Sequence, residues 1–336
     1  MLDQLVELLA RAFDALGLNG TRLRWKWNRR RRELGESGLK AEMVVRSTQV
    51  AYKMCPSCRA LVPRHVRRCT ECGATLADVR APGITRVIEN LIPGATATTA
   101  AILLANTLMF ALCLLRPFTA DGYDPGPPFT RLLRFDLPTL VLYGSGLSPL
   151  TTQFHEWWRI ITPVFLHGGL LHFLFNSLAL VRLGPLVEEE FGTERLATIY
   201  VVTGIAGSAM SQLVRPVQTV GASGALCGLL GLLLVHGWRL GGAYGSRLKS
   251  VMLQNTVLMV GMSFLPGIDW LNHLGGFLAG CALALIVPSG SFRSRATEGV
   301  WIILAWLSIA AVLASFYFMS KLGVRDVGLL PPRFFH

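Results

Sequence analysis

The sequence predicts an all-α polytopic membrane protein with a small cysteine-rich domain near its N-terminus, and three observations predict it. Hydrophobic residues make up 52% of the 336 positions and charged residues only 15%, with a mean hydropathy of +0.47, which is too apolar for a soluble chain of this length. Apolar stretches of about 17–21 residues, long enough to cross a bilayer as helices, recur seven times. Ahead of them, four of the seven cysteines fall in one short polar stretch. The expected division is a basic amphipathic region (1–54), a cysteine-rich domain (55–76), a linker (77–96), a membrane core (97–288), and a seventh helix with its tail (289–336).

In the first region Leu2, Leu5, Val6, Leu8, Leu9, Phe13 and Leu16 recur at helical spacing. Asp3, Glu7, Arg11 and Asp14 interrupt them, so the stretch is expected to be neither a signal peptide nor a span. It reads as an amphipathic helix that packs on its own domain or lies on the lipid surface beside the basic run 22–32. Residues 1–97 carry 17 Lys and Arg against 9 Asp and Glu, so most of the net charge of +12 sits at this end. A basic run next to a membrane domain orients the chain with this end in the cytoplasm, and no nucleic-acid partner is expected.

The cysteine domain contains Cys55-Pro56-Ser57-Cys58 and, ten residues on, Cys69-Thr70-Glu71-Cys72. Two such knuckles each present two thiolates to one tetrahedral Zn²⁺, and a segment too small to build a core takes its folding free energy from the metal. Disulfides are disfavoured because this end is expected in the reducing cytosol, and His65 is superfluous beside four cysteines. The stretch resembles the short zinc ribbons fused to bacterial membrane proteins. That resemblance implies a structural zinc and a possible cytosolic partner of the ribbon, without saying which.

Spans are expected at about 97–115, 164–183, 195–214, 221–238, 249–265, 271–288 and 300–320. A cytoplasmic N-terminus places Arg239, Arg247, Lys249, Arg293 and Arg295 on the inner side, while Arg131 and Arg134 fall in an outer loop. That loop, 116–163, is rich in Gly and Pro at 124–128 and apolar elsewhere, ending in Trp157-Trp158-Arg159. It is expected to lie in the membrane interface and pack beside the bundle.

Polar groups inside apolar helices are costly and therefore mark function. His172 and Asn176 are four apart at the start of the second span, stacked on one face, and both can donate hydrogen bonds to an anion. Ser223 opens the fourth span within Gly221-Ala222-Ser223-Gly224, where glycines permit close approach and a helix N-terminus offers free amides. His273 in the sixth span is suited to remove the proton of a serine hydroxyl near neutral pH. Gly224 and Gly228 form one small-residue stripe and Gly276 and Gly280 another, so these two helices are expected to meet closely. Asp269, four residues before His273, is better explained as a helix-start carboxylate than as a third catalytic member.

Together these pieces resemble the rhomboid family of intramembrane serine proteases over roughly 97–288. The resemblance lies in Trp158-Arg159, the His172-to-Asn176 spacing, the Gly-Ala-Ser-Gly at Ser223, and His273 followed by Gly275 and Gly276. It implies a six-helix core with one added C-terminal helix, and a Ser223–His273 dyad. It further implies an oxyanion hole from His172, Asn176 and the Ser223 amide, with no cofactor for catalysis. The implied reaction is hydrolysis of peptide bonds in or near the transmembrane helices of substrate proteins, in a multi-pass protein of the plasma membrane. Asn272 departs from the family, which usually has Ala before the histidine. A silent client-binding relative, or an adaptor working through its zinc ribbon, is the alternative.

Overall fold

The computed structural model describes residues 52–54, 61–63, 69–73, 96–115, 127–215, 218–287 and 295–322. The chain divides into two compact units, Met1–Arg80 and Ala81–His336. In the first, strands β1 (Tyr52–Met54) and β2 (Leu61–Pro63) pair antiparallel with Tyr52 opposite Pro63 and Met54 opposite Leu61. The chain between these strands carries Cys55 and Cys58, which lie outside the described residues, as does the amphipathic stretch expected at 2–16. Cys69 and Cys72 sit on a tight turn closed by the Gly73 N–H donating to the Cys69 carbonyl at 2.9 Å, with Gly73 at φ +70°. Among the described residues alone, no group of three or more His, Cys, Asp or Glu is placed to hold a metal.

The second unit is helical. Helix α1 (Ala97–Leu114) is followed by short helices α2 (Pro128–Leu133) and α3 (Leu137–Leu142), strand β3 (Gly146–Leu147), helix α4 (Ser148–Thr152) and two 3-10 turns, Trp157–Ile160 and Thr162–Phe165. Then come α5 (Leu170–Phe191), α6 (Thr193–Val214), strand β4 (Gln218–Thr219), α7 (Ser223–Leu240), α8 (Gly242–Ser263), α9 (Trp270–Ile286) and α10 (Arg295–Leu322). Five of these, α1, α5, α6, α7 and the Glu298–Lys321 stretch of α10, are long and apolar enough to cross a membrane. This is a multi-pass membrane protein. The fifth and sixth expected spans are also helical: α9 is apolar but only 17 residues long, and α8 carries Arg247 and Lys249.

The second expected span begins six residues late, at Leu170. Pro163 lies in a 3-10 turn, and Gly168 and Gly169 follow before the helix starts. A methyl group at Gly169 would strike the Leu133 carbonyl, so the backbone there runs against α2 and cannot yet coil. From residue 127 onward, the segment between α1 and α5 is built of short helices, turns and one strand. Its β3 pairs antiparallel with β4, Gly146 opposite Thr219, which ties it to the segment leading into α7.

At the core, α6 and α7 are the most enclosed helices, with Leu196, Ile199, Tyr200, Leu229, Leu232 and Leu233 wholly buried. Glycines set the spacing. A methyl at Gly276 of α9 would strike the Gly224 carbonyl of α7, and one at Gly280 the Gly228 carbonyl. Gly228 in turn faces the Thr203 side chain of α6, so α6, α7 and α9 stack with their backbones nearly touching.

The C-terminal α10 is fastened at both ends. Near its start the fully buried Arg195 of α6 donates to both carboxylate oxygens of Glu298, at 2.8 and 3.2 Å, and lies 5.2 Å from the centre of the Trp301 ring. Near its end Phe316 meets Phe165 edge-on at 5.9 Å and Phe318 lies 6.4 Å from Trp158. Its remaining surface is apolar and exposed, including Ile303, Trp306, Leu307 and Leu313, as a lipid-facing helix requires. Removing the carboxylate strands a buried cation, so Glu298→Ala is expected to lower stability by about 3 kcal/mol, read from thermal unfolding in detergent.

Candidate active site

His172, Ser223 and His273 line one cavity of about 730 Å³, together with Arg134, Gln218, Asp269 and the 266–268 turn. Each residue lies within the first turn of its helix, α5, α7 or α9. Three helix N-termini therefore converge on the cavity, and those of α5 and α7, which no N-cap side chain closes, make it hospitable to negative charge.

His172 is held by its neighbour: the Gly168 N–H donates to Nδ1 at 3.3 Å. A neutral imidazole that accepts at Nδ1 carries its hydrogen on Nε2, so Nε2 is a donor. This nitrogen faces Gly221, where a built Cβ would lie 2.7 Å from His172 Nε2 and 3.6 Å from Ser223 Oγ. Gly221 has φ +118° and donates its N–H to the Pro163 carbonyl at 2.9 Å, a conformation and a proximity that only glycine tolerates. His167 is buried against His172 and Phe173, each ring centre 5.4 Å away, and supports the loop rather than lining the cavity.

Ser223 is the first residue of α7, and no side chain caps that helix end. The amides of its first turn are thus available to a ligand. Asn176 lies deeper and does not line the cavity. Its Nδ2 donates to the His172 carbonyl at 2.9 Å, which commits one of its two amide hydrogens within α5.

His273 presents Nδ1 to Ser263 Oγ, 2.7 Å away at the end of α8. Asp269 is occupied elsewhere. Its Oδ1 caps α9 by accepting from the Asn272 N–H at 3.2 Å, and its Oδ2 accepts from Ser211 Oγ at 2.6 Å and Thr219 Oγ1 at 2.8 Å. The carboxylate therefore locks the start of α9 to α6 and to the strand before Gly221. Asn272 is buried where a Cβ on Gly207 would lie 2.5 Å from its Oδ1, and a Cβ on Gly224 would collide with the same oxygen. The extra bulk of its side chain is taken up by glycines on α6 and α7.

Arg159, which does not line the cavity, is wholly buried in an ion pair with Glu156 and donates to the Val141 and Ser145 carbonyls at 2.8 and 3.1 Å. Burial draws its pKa below the ordinary value, and the Glu156 charge draws it back up. Gln212 of α6 donates to the Arg159 carbonyl at 2.8 Å and accepts from Thr151 Oγ1 at 2.5 Å, anchoring the segment between α1 and α5. Sequence reasoning missed Ser263, Ser211, Thr219 and Gln212. Each is a common polar residue whose partner lies on another element, and only the i to i+4 spacing of Ser208 and Gln212, which are hydrogen-bonded at 2.8 Å, left any trace in the sequence.

The family description "Rhomboid domain" matches residues 154–290. Among curated proteins, the chain is 36% identical over 169 residues to rhomboid protease GluP of Bacillus subtilis, covering 49% of this chain and 33% of that protein. It is 37% identical over 164 residues to RHOMBOID-like protein 5 of Arabidopsis thaliana, covering 46% and 52%. To the mitochondrial RHOMBOID-like protein 6 of Arabidopsis thaliana it is 34% identical over 211 residues, covering 56% and 68%. The matched segment thus spans between a third and about half of the first two relatives' own length.

Proposed function

The chain belongs to the rhomboid family, and we propose that it is an intramembrane serine protease that hydrolyses peptide bonds in or near the transmembrane segments of other proteins. The observation that carries the reading is the meeting of Ser223, His273 and His172 in a single cavity at three helix N-termini. Ser223 Oγ attacks the scissile carbonyl carbon while His273 takes its proton. The oxygen that gains the negative charge is met by His172 Nε2–H and the Ser223 amide; Asn176, expected from the sequence as a third donor, stands outside the cavity lining and would reach the oxygen only by turning toward it. Collapse of the tetrahedral intermediate expels the amine, which receives the proton from His273. Water from the cavity then hydrolyses the acyl-serine by the same exchange.

A substrate helix has its backbone groups already hydrogen-bonded, so a peptide bond must leave the helix before Ser223 can attack it. Gly or Pro near the cut lowers that cost, which makes helix-weakened segments the favoured substrate class. In the proposed topology α8 and α9 also span, giving seven crossings with the N-terminal unit in the cytoplasm of the cell and the cavity toward the outer face.

The proposed zinc ribbon draws on Cys55, Cys58, Cys69 and Cys72. A hairpin flanking the first pair and a tight turn holding the second suit two knuckles. The metal would be structural, stabilising the small unit without entering the reaction. Elemental analysis should find one zinc per chain, and Cys69→Ser should remove it while leaving proteolysis in detergent intact. Zinc content unaffected by that change would count against the site.

The protease reading is tested with a fluorophosphonate probe on the purified, folded protein, which should label a single serine, Ser223. A folded protein that neither labels nor cleaves a membrane-protein substrate would overturn the reading and favour a client-binding role.

A further inference from the structure

The hydrogen-bond partner of the proposed base is Ser263. Ser263 Oγ lies 2.7 Å from His273 Nδ1 and 2.8 Å from the Met259 carbonyl oxygen one turn earlier in α8. A hydroxyl has one hydrogen and a carbonyl oxygen has none. Both contacts are hydrogen bonds only when Oγ–H donates to Met259 and an Oγ lone pair accepts from Nδ1–H of the histidine. The imidazole then carries its hydrogen on Nδ1 and leaves a bare lone pair on Nε2, the form able to accept a proton from Ser223. His172 is fixed in the opposite sense, accepting at Nδ1 from Gly168 and donating from Nε2. One imidazole of the cavity is thereby set as a donor and the other as an acceptor.

We propose that Ser263 is the positioning residue of the proposed dyad, fixing the tautomer and the ring orientation of His273. Its catalytic consequence rests on the protease reading; the tautomer is a property of the resting protein. The carboxylate nearest in sequence is not available for this task, because Asp269 is engaged by Asn272, Ser211 and Thr219. A neutral hydroxyl fits an apolar setting, where a carboxylate at the same place would carry a large desolvation cost. Ser263 does this from a helix whose other side is largely exposed at Leu253, Val257 and Leu258, so the base is oriented by α8 although it is carried by α9.

The test uses the full-length protein. In ¹⁵N-histidine-labelled wild type, the His273 ring, assigned by comparison with His273→Asn, should show the Nδ1–H pattern, and Ser263→Ala should convert it to a mixture of tautomers. With the same change kcat and the rate of fluorophosphonate labelling should fall about 10- to 100-fold at unchanged KM, since a base in the wrong tautomer is silent while the substrate contacts persist. Ser263→Thr, which keeps the hydroxyl, should restore most of the rate, and Ser263→Val, of the same shape without it, should not. The Thr and Val pair also decides the matter if the alanine variant is unstable. Equal rates for Thr and Val, or a tautomer pattern indifferent to the loss of the hydroxyl, would overturn the proposal. A wild type that never labels would fail the protease reading alone, because the nitrogen spectra still report on the hydrogen bond.

Discussion

Ser223→Ala is expected to reduce cleavage of a membrane-protein substrate by at least about four orders of magnitude, with the unfolding temperature in detergent unchanged. The size follows from the chemistry: without Oγ no acyl-enzyme forms, and the remaining donors can only polarise a carbonyl that nothing attacks. The lack of a structural cost follows from the surroundings. Ser223 Oγ caps no helix and faces the cavity, so its loss leaves no buried polar atom stranded and opens no void in the core. A variant that kept a tenth of its activity would place the nucleophile elsewhere. A variant that unfolded would show that the hydroxyl is structural.

The second large effect concerns a residue that touches no substrate. Gly276→Ala adds one methyl group, yet that carbon would strike the Gly224 carbonyl oxygen, a backbone atom that cannot rotate aside. The helices must separate, at an expected cost of about 3 kcal/mol. Because α7 carries Ser223 and α9 carries His273, the same separation should depress activity out of proportion to the fraction unfolded. Gly261→Ala on α8 is the control: its added carbon would meet nothing within 4 Å, and a neutral or slightly higher unfolding temperature is expected. Matching thermal midpoints for the two variants would contradict the tight contact.

How much of this was legible in the sequence depends on the range of each signal. That α7 and α9 approach closely could be read because both members of each glycine pair lie one turn apart on a single helix, within reach of a periodicity argument. The role of Asp269 as a cap was legible for the same reason, its partner being three residues away. The start of α5 was misjudged because an apolar run does not reveal that Pro163 and the Gly168-Gly169 pair delay the helix. The start of α8 was placed seven residues late because Arg247 and Lys249 lower the hydropathy of its first turns. Ser263 was invisible. Ten residues and a turn separate it from His273, and no spacing rule connects a serine at one helix end to a ring on the next.

The Arg195–Glu298 pair also bears on the order of events during synthesis. The two residues are 103 positions apart, and α6 is made long before α10. Throughout that interval a guanidinium destined for complete burial lacks the only carboxylate with which the described residues pair it. Newly made bundle must therefore either hold this cation at the bilayer edge or shelter it with water until α10 leaves the ribosome. Arrival of α10 thus brings the acid that neutralises Arg195, and a chain ending after α9 would lack the one carboxylate that pairs with it among the described residues.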